Sequence, residues 1–94
     1  MIMEIIKACR IIITGRVQNV GFRFHAQDKA QELGVAGFVR NQTDGSVYIE
    51  AEGAEEKLNE FVLWCYQGPT WATVINVKAV EQPVQEFTTF EIQR

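Results

Sequence analysis

The sequence predicts an α+β fold: one antiparallel sheet with two helices on a single face, in the order β-α-β-β-α-β, plus a short trailing strand. Three observations carry this. Apolar residues sit at alternate positions in residues 5–14 and 46–52, as in half-buried strands. They recur at helical spacing in residues 22–33 and 54–66. Between the second and third strand stretches lies Asp44-Gly45, a dipeptide that favours the tight turn of a hairpin.

Residues 5–14 are rich in β-branched side chains, which fit a pleated surface. Cys9, Ile11 and Ile13 form one apolar face; Arg10, Ile12 and Thr14 form the other, and Gly15 ends the run. In residues 22–33, Phe22, Ala26, Ala30 and Leu33 share one side, while Gln27, Asp28, Gln31 and Glu32 are polar. Gly34 is a helix stop. Residues 35–40 read as a strand with Asn41 at its end. Next, Val47, Ile49 and Ala51 alternate with Ser46, Tyr48, Glu50 and Glu52, and Gly53 closes the strand. The second helix, residues 54–66, turns Leu58, Phe61, Val62 and Cys65 inward. Glu55 and Glu56 occupy its first turn, where the helix dipole favours anions, and Gly68-Pro69 ends it. Residues 72–80 and 87–92 are the remaining strands. The pattern is a split-βαβ, ferredoxin-like sandwich, expected as a single domain over residues 1–94. Such a fold hosts many activities and decides none.

Composition excludes several classes. The chain is 47% hydrophobic, enough for a core without cross-links, and its net charge of −3 opposes a nucleic-acid partner. Its apolar runs, such as Ile11-Ile12-Ile13, fall far short of the roughly 20 residues a bilayer span needs. Residues 1–7 show no basic region, long apolar stretch or small-residue cleavage site, so a cytoplasmic protein without a membrane partner is expected. Cys9 and Cys65 stand alone, and His25 is the sole histidine, so there is no ligand set for zinc. No metal and no cofactor are expected, and the chain is read as a monomer. Both cysteines fall on apolar faces and are expected as buried thiols. Trp64 and Trp71 are expected to pack, and His25 to lie on the surface of the first helix.

The chemistry is concentrated in Gly15-Arg16-Val17-Gln18-Asn19-Val20-Gly21-Phe22-Arg23, which joins the first strand to the first helix. Glycines near both ends permit tight turns. The loop leads into a helix N-terminus, whose free N–H groups and dipole favour an anion, and successive loop amides can form a concave nest. Arg23, in the first helical turn, can grip a phosphoryl group with its guanidinium. In a split βαβ unit the first two strands run parallel with the third between them. Asn41 therefore reaches the same sheet edge as this loop, across about 10 Å. Its carboxamide can hold a water and a phosphate oxygen together.

Residues 13–23, Ile13-Thr14-Gly15-Arg16-Val17-Gln18-Asn19-Val20-Gly21-Phe22-Arg23, resemble the acylphosphatase signature, whose core is G-x-V-Q-G-V-x-F-R after a strand. Gly37-Phe38-Val39-Arg40-Asn41, Asp44-Gly45-Ser46-Val47 and Gly53 resemble the second signature of that family, and Gly68-Pro69 with Ala72 and Val74 is similar to a later segment. The resemblance implies hydrolysis of the carboxyl-phosphate bond of a small-molecule acyl phosphate. It makes Arg23 and Asn41 the catalytic pair, with Gln18, Asn19, Val20, Gly21 and Phe22 as the phosphate-binding loop. Two positions depart from the family pattern: Asn19 stands where Gly is usual, and Gln42 where Thr is common. If position 19 needs positive φ, Asn is the residue that tolerates it best after Gly.

Two other classes compete. A non-catalytic module for carbamoyl phosphate or phosphate, like domains of hydrogenase maturation factors, would use the same cradle. Those domains belong to long chains, and a chain ending soon after its last strand suits a free-standing enzyme better. An RNA-binding sheet could stack bases on Phe22, Phe24 and Phe38, but Phe22 fits the core face of the helix and the acidic balance opposes RNA.

Overall fold

The computed structural model describes residues 4–94. Met1, Ile2 and Met3, which form part of the segment read for a leader, lie outside them. The elements are β1 (Ile6–Arg16), α1 (Phe22–Leu33), β2 (Ala36–Asn41), β3 (Val47–Ala54), α2 (Glu55–Gln67), β4 (Thr73–Gln82) and β5 (Phe90–Ile92). The sheet order is β4-β1-β3-β2-β5. The β1–β3, β1–β4 and β2–β3 pairs are antiparallel, as the alternation and the hairpin require. In contrast to the expected all-antiparallel sheet, β5 pairs parallel to β2, Gly37 opposite Phe90 and Val39 opposite Ile92, so the sheet is mixed. The reason is topological: β4 and β5 are opposite edges, and the chain crosses the whole sheet before laying down its last strand.

Period-two alternation explains the core. Cys9, Ile11 and Ile13 of β1, Val39 of β2 and Val47, Ile49 and Ala51 of β3 are buried beneath Phe22, Ala26 and Ala30 of α1 and Leu58, Phe61 and Cys65 of α2. Phe61 stacks on Trp64 at 6.2 Å and meets Phe90 edge-on at 5.7 Å, so α2 grips both the core and the last strand. Truncating Phe61, fully buried here, removes about 3–5 kcal/mol of stability, a large share of what a domain of this size has. The two thiols are free and buried. Burial, aided by the charge of Glu81, pushes the Cys9 thiol up to about 11, and burial raises Cys65 as well, so both stay neutral core atoms at neutral pH.

Four details differ from the expectations. β1 runs two residues beyond Thr14 through a register shift at Thr14/Gly15. Only glycine fits there: φ is +130°, and a Cβ would be driven into the Thr73 carbonyl. β3 passes through Gly53, which pairs with Lys7, because β1 continues alongside it. Trp64 packs on Phe22 at 5.4 Å as expected, but Trp71 lies 77% exposed in the turn before β4. Ser46 and Glu52, assigned to the polar face of β3, are both buried with their hydrogen bonds satisfied. Among the described residues no helix is long and apolar enough to cross a membrane.

Candidate active site

Pairing places the site. Val47 of β3 lies opposite both Ile13 of β1 and Asn41 of β2, so the end of β2 is level with the last turn-free stretch of β1. Two strand spacings, about 10 Å, separate the two. The β1–α1 loop rises beside Asn41 and folds back into α1. Its sharpest bends are Asn19 at φ +62° and Gly21, the left-handed N-cap of α1, at φ +76°. Position 19 thus does need positive φ, the conformation Asn accepts most readily of the non-glycine residues.

The N-cap has no side chain to satisfy the helix start. The first internal bond runs from the His25 amide to the Gly21 carbonyl, 3.0 Å. Among the described residues, no acceptor takes a hydrogen bond from the amides of residues 18–24. A helix start uncapped in this way presents its N–H groups and positive dipole end to whatever lies in front of it. His25 Nδ1 also sits 2.8 Å from the Gly21 carbonyl, a contact that requires the proton on Nδ1 and turns the ring along the helix surface.

In front of the helix start lies a cleft of about 230 Å³ lined by Val17, Asn19, Gly21, Phe22, Arg23, Phe24, Asn41, Ile92 and Arg94. Arg23 and Asn41, 18 residues apart in the chain, share its wall. Two arginines and no carboxylate side chain line it, in a protein whose net charge is −3. Hollows of about 430 and 480 Å³ lie elsewhere, and neither includes Arg23 or Asn41. The half-buried Arg23 donates from Nη1 to the Gln93 carbonyl at 3.2 Å, which fixes the guanidinium and leaves its other N–H groups for the cleft.

Of the residues singled out in the loop, Asn19, Gly21 and Phe22 line the cleft, with the Phe22 ring turned into the core. Val20 packs against the core instead. Gln18 points the other way: its Nε2 donates to the Gln42 carbonyl at 2.7 Å and the Ser46 carbonyl at 2.9 Å. It therefore ties the loop to the β2–β3 hairpin that carries Asn41. Gln42, in the place of the family's Thr, donates from Nε2 to Ser46 Oγ at 2.9 Å, and Ser46 donates its amide and hydroxyl to Asp44 Oδ1 at 2.9 and 2.6 Å. These bonds hold the Asp44 carboxyl below its usual value, the Ser46 hydroxyl contributing most. The Asp44-Gly45 turn is thus structural, as its sequence implies, and it fixes the base of Asn41.

Phe24, Ile92 and Arg94 also line the cleft, and sequence reasoning missed all three. Ile92 and Arg94 arrive because β5 lies parallel to β2 and ends beside it, a pairing no local pattern announces. Phe24 could have been found: it breaks the apolar period of α1 and is 63% exposed.

Comparison with known proteins gives the family. The family model described as acylphosphatase matches residues 9–92. A curated acylphosphatase of Aliivibrio fischeri is 44% identical over 80 residues, 85% of this chain and 89% of that protein. The crystal structure of acylphosphatase from Bacillus subtilis superposes with a TM-score of 0.91 at 36% identity, covering 96% of this chain and all of that one. A full-length HypF structure in phosphate- and nucleotide-bound form is similar at a TM-score of 0.88 and 29% identity, but this chain covers 12% of it. With its fold, its cleft and these likenesses taken together, the chain belongs to the acylphosphatase family.

Proposed function

We propose that this acylphosphatase works by holding the phosphoryl group of its substrate between Arg23 and the amides of the 16–22 loop, while Asn41 orients the attacking water. The observation that supports this is the meeting of Arg23, Asn41 and unpaired main-chain donors in one cleft without a carboxylate side chain. Phosphoryl transfer asks chiefly for positioning and charge stabilisation, and pre-aimed donors supply both. Water attacks phosphorus in line with the acyl oxygen. The new P–O bond forms as the P–O bond to the acyl group breaks, the electron pair leaves with the carboxylate, and the water's proton passes to a phosphoryl oxygen. A carboxylate leaving group has a pKa of about 4, so protonating it gains little and no general acid is needed.

The meeting of Arg23 and Asn41 in one cleft of a single chain supports the reading of a monomer, and the single five-stranded sheet of the described residues supports the reading of one domain. Two unbridged thiols suit a reducing cytoplasm.

Hydrolysis of benzoyl phosphate in the presence of a chelator tests the reading. Arg23→Ala is expected to raise KM and the inhibition constant of inorganic phosphate by on the order of 100-fold. Asn41→Ala is expected to lower kcat by a similar factor with a smaller change in KM, because it disorders the water rather than the phosphate. Near-normal turnover by Asn41→Ala removes its role. Tight phosphate binding without turnover in the unaltered protein returns the site to the binding-module reading that the likeness to HypF favours.

A further inference from the structure

Residues 83–89 connect β4 to β5, which lie at opposite edges of the sheet. The seven residues must therefore cross β1, β3 and β2. Four strand spacings amount to about 19 Å, and seven residues reach about 25 Å at most, so the segment runs as a taut strap with little slack. It crosses the face that carries no helices. There Phe87 meets Phe38 of β2 edge-on at 5.9 Å.

At mid-crossing the strap is held by a buried carboxylate. Glu52 of β3 is 4% exposed. Its Oε2 accepts the amide of Gln85 at 2.8 Å and its Oε1 the amide of Phe87 at 2.5 Å. Glu86, between them, adopts φ +62°, which turns both flanking N–H groups to the same side. The residues opposite Glu52 are Ala8 and Ala36, small enough for the strap to descend onto the sheet.

Beyond the strap, the chain runs to the cleft. β5 is pinned to β2 by the Gly37 amide on the Thr89 carbonyl and the Gln93 amide on the Val39 carbonyl, 2.8 Å each, and to α1 by Gln27 Nε2 on the Phe90 carbonyl at 3.0 Å. Directly after β5 comes the Gln93 carbonyl that holds Arg23, with Ile92 and Arg94 on the cleft wall. We infer that Glu52, at the far end of the sheet, is a positioning residue for phosphate binding: by anchoring the strap it sets where β5 presents the Gln93 carbonyl to Arg23. The inference rests on Arg23 being the residue that grips phosphate.

The test is the benzoyl phosphate assay with inorganic phosphate as competitive inhibitor, on Glu52→Gln and, from the strap's other anchor, Phe87→Leu. Glu52→Gln keeps the shape but places an NH₂ against one strap amide. A merely structural role would reduce the folded fraction and hence apparent kcat, leaving KM and the phosphate constant of the folded protein alone. A positioning role raises KM and the phosphate constant together by about fivefold, with kcat nearly unchanged. In the Arg23→Ala background the same substitution then adds little, because both act through one guanidinium. Should Glu52→Gln not fold, Phe87→Leu carries the same expectation. Unchanged phosphate constants in whichever of these variants fold, or full additivity with Arg23→Ala, overturn the coupling. If Arg23→Ala itself binds phosphate normally, the reading of Arg23 fails first and the coupling with it.

Discussion

Two stretches of backbone in this protein use the same device to different ends. Asn19 in the β1–α1 loop and Glu86 in the strap are the two non-glycine residues with positive φ among those described, each at 62°. A residue in this conformation turns successive amides toward one side and makes a small electropositive hollow. In the strap, the fold supplies the anion: Glu52 rises from β3 and takes both N–H groups. At the loop, no acidic side chain lines the cleft, and the amides of residues 18–24 find no acceptor among the described residues. One hollow is a clamp and the other opens on the candidate site, and what separates them is whether an acidic side chain is within reach.

The comparison can be broken by giving the loop an anion of its own. Asn19→Asp keeps a residue that tolerates left-handed backbone and adds a negative charge to the cleft wall. Repulsion of a bound phosphate dianion across a few ångströms of partly screened space is expected to raise KM and the phosphate inhibition constant about tenfold or more. The same charge, close to the uncapped start of α1, should leave thermal stability unchanged or slightly higher. Loss of stability with unaltered phosphate affinity would show that residue 19 does not face the ligand.

A second pair of variants sharpens the contrast through strain. Replacing each left-handed residue by glycine removes the steric cost of positive φ. Glu86→Gly should stabilise by up to about 1 kcal/mol, measured by urea unfolding, because Glu has no local hydrogen bond to offset the conformation. Asn19→Gly should gain only about a few tenths, since Asn already tolerates it, and should keep turnover within a few-fold. The reverse ordering would mean that Asn19, not Glu86, carries the greater backbone strain.

Much of the fold is legible in the chain. The bounds of α1, Phe22–Leu33, follow from its apolar spacing and the closing Gly34. The meeting of Arg23 with Asn41 follows from topology, because parallel strands flanking a third bring their ends to one edge. What could not be read was long-range and one-sided. Glu52 continues the polar alternation of β3 and looks like a solvated side chain; it is buried only because a segment 33 residues later lies over it. Ile92 and Arg94 reach the cleft by the parallel pairing of a three-residue strand, too short to show a period or a register of its own. Gln18 shows the same limit at close range. Its place in the motif suggests a phosphate contact, whereas its amide spans two carbonyls of the hairpin.

A second carboxylate takes main-chain donors and carries the smallest effect. Asp44 takes the Ser46 amide and hydroxyl much as Glu52 takes the strap, but in full contact with water. Its carboxyl is held below the ordinary value by the Ser46 hydroxyl first and the Ser46 amide second. A carboxyl depressed in the folded state contributes stability above its unfolded value of about 4 and loses it as pH falls through the folded one. Below about pH 4, then, unaltered protein should lose stability more steeply than Asp44→Asn, which accepts the amide bond without titrating. Following acid unfolding of both proteins by circular dichroism checks this. Parallel curves would show that water already screens the hairpin carboxylate, and that burial, as at Glu52, is what makes an internal anion matter to this fold.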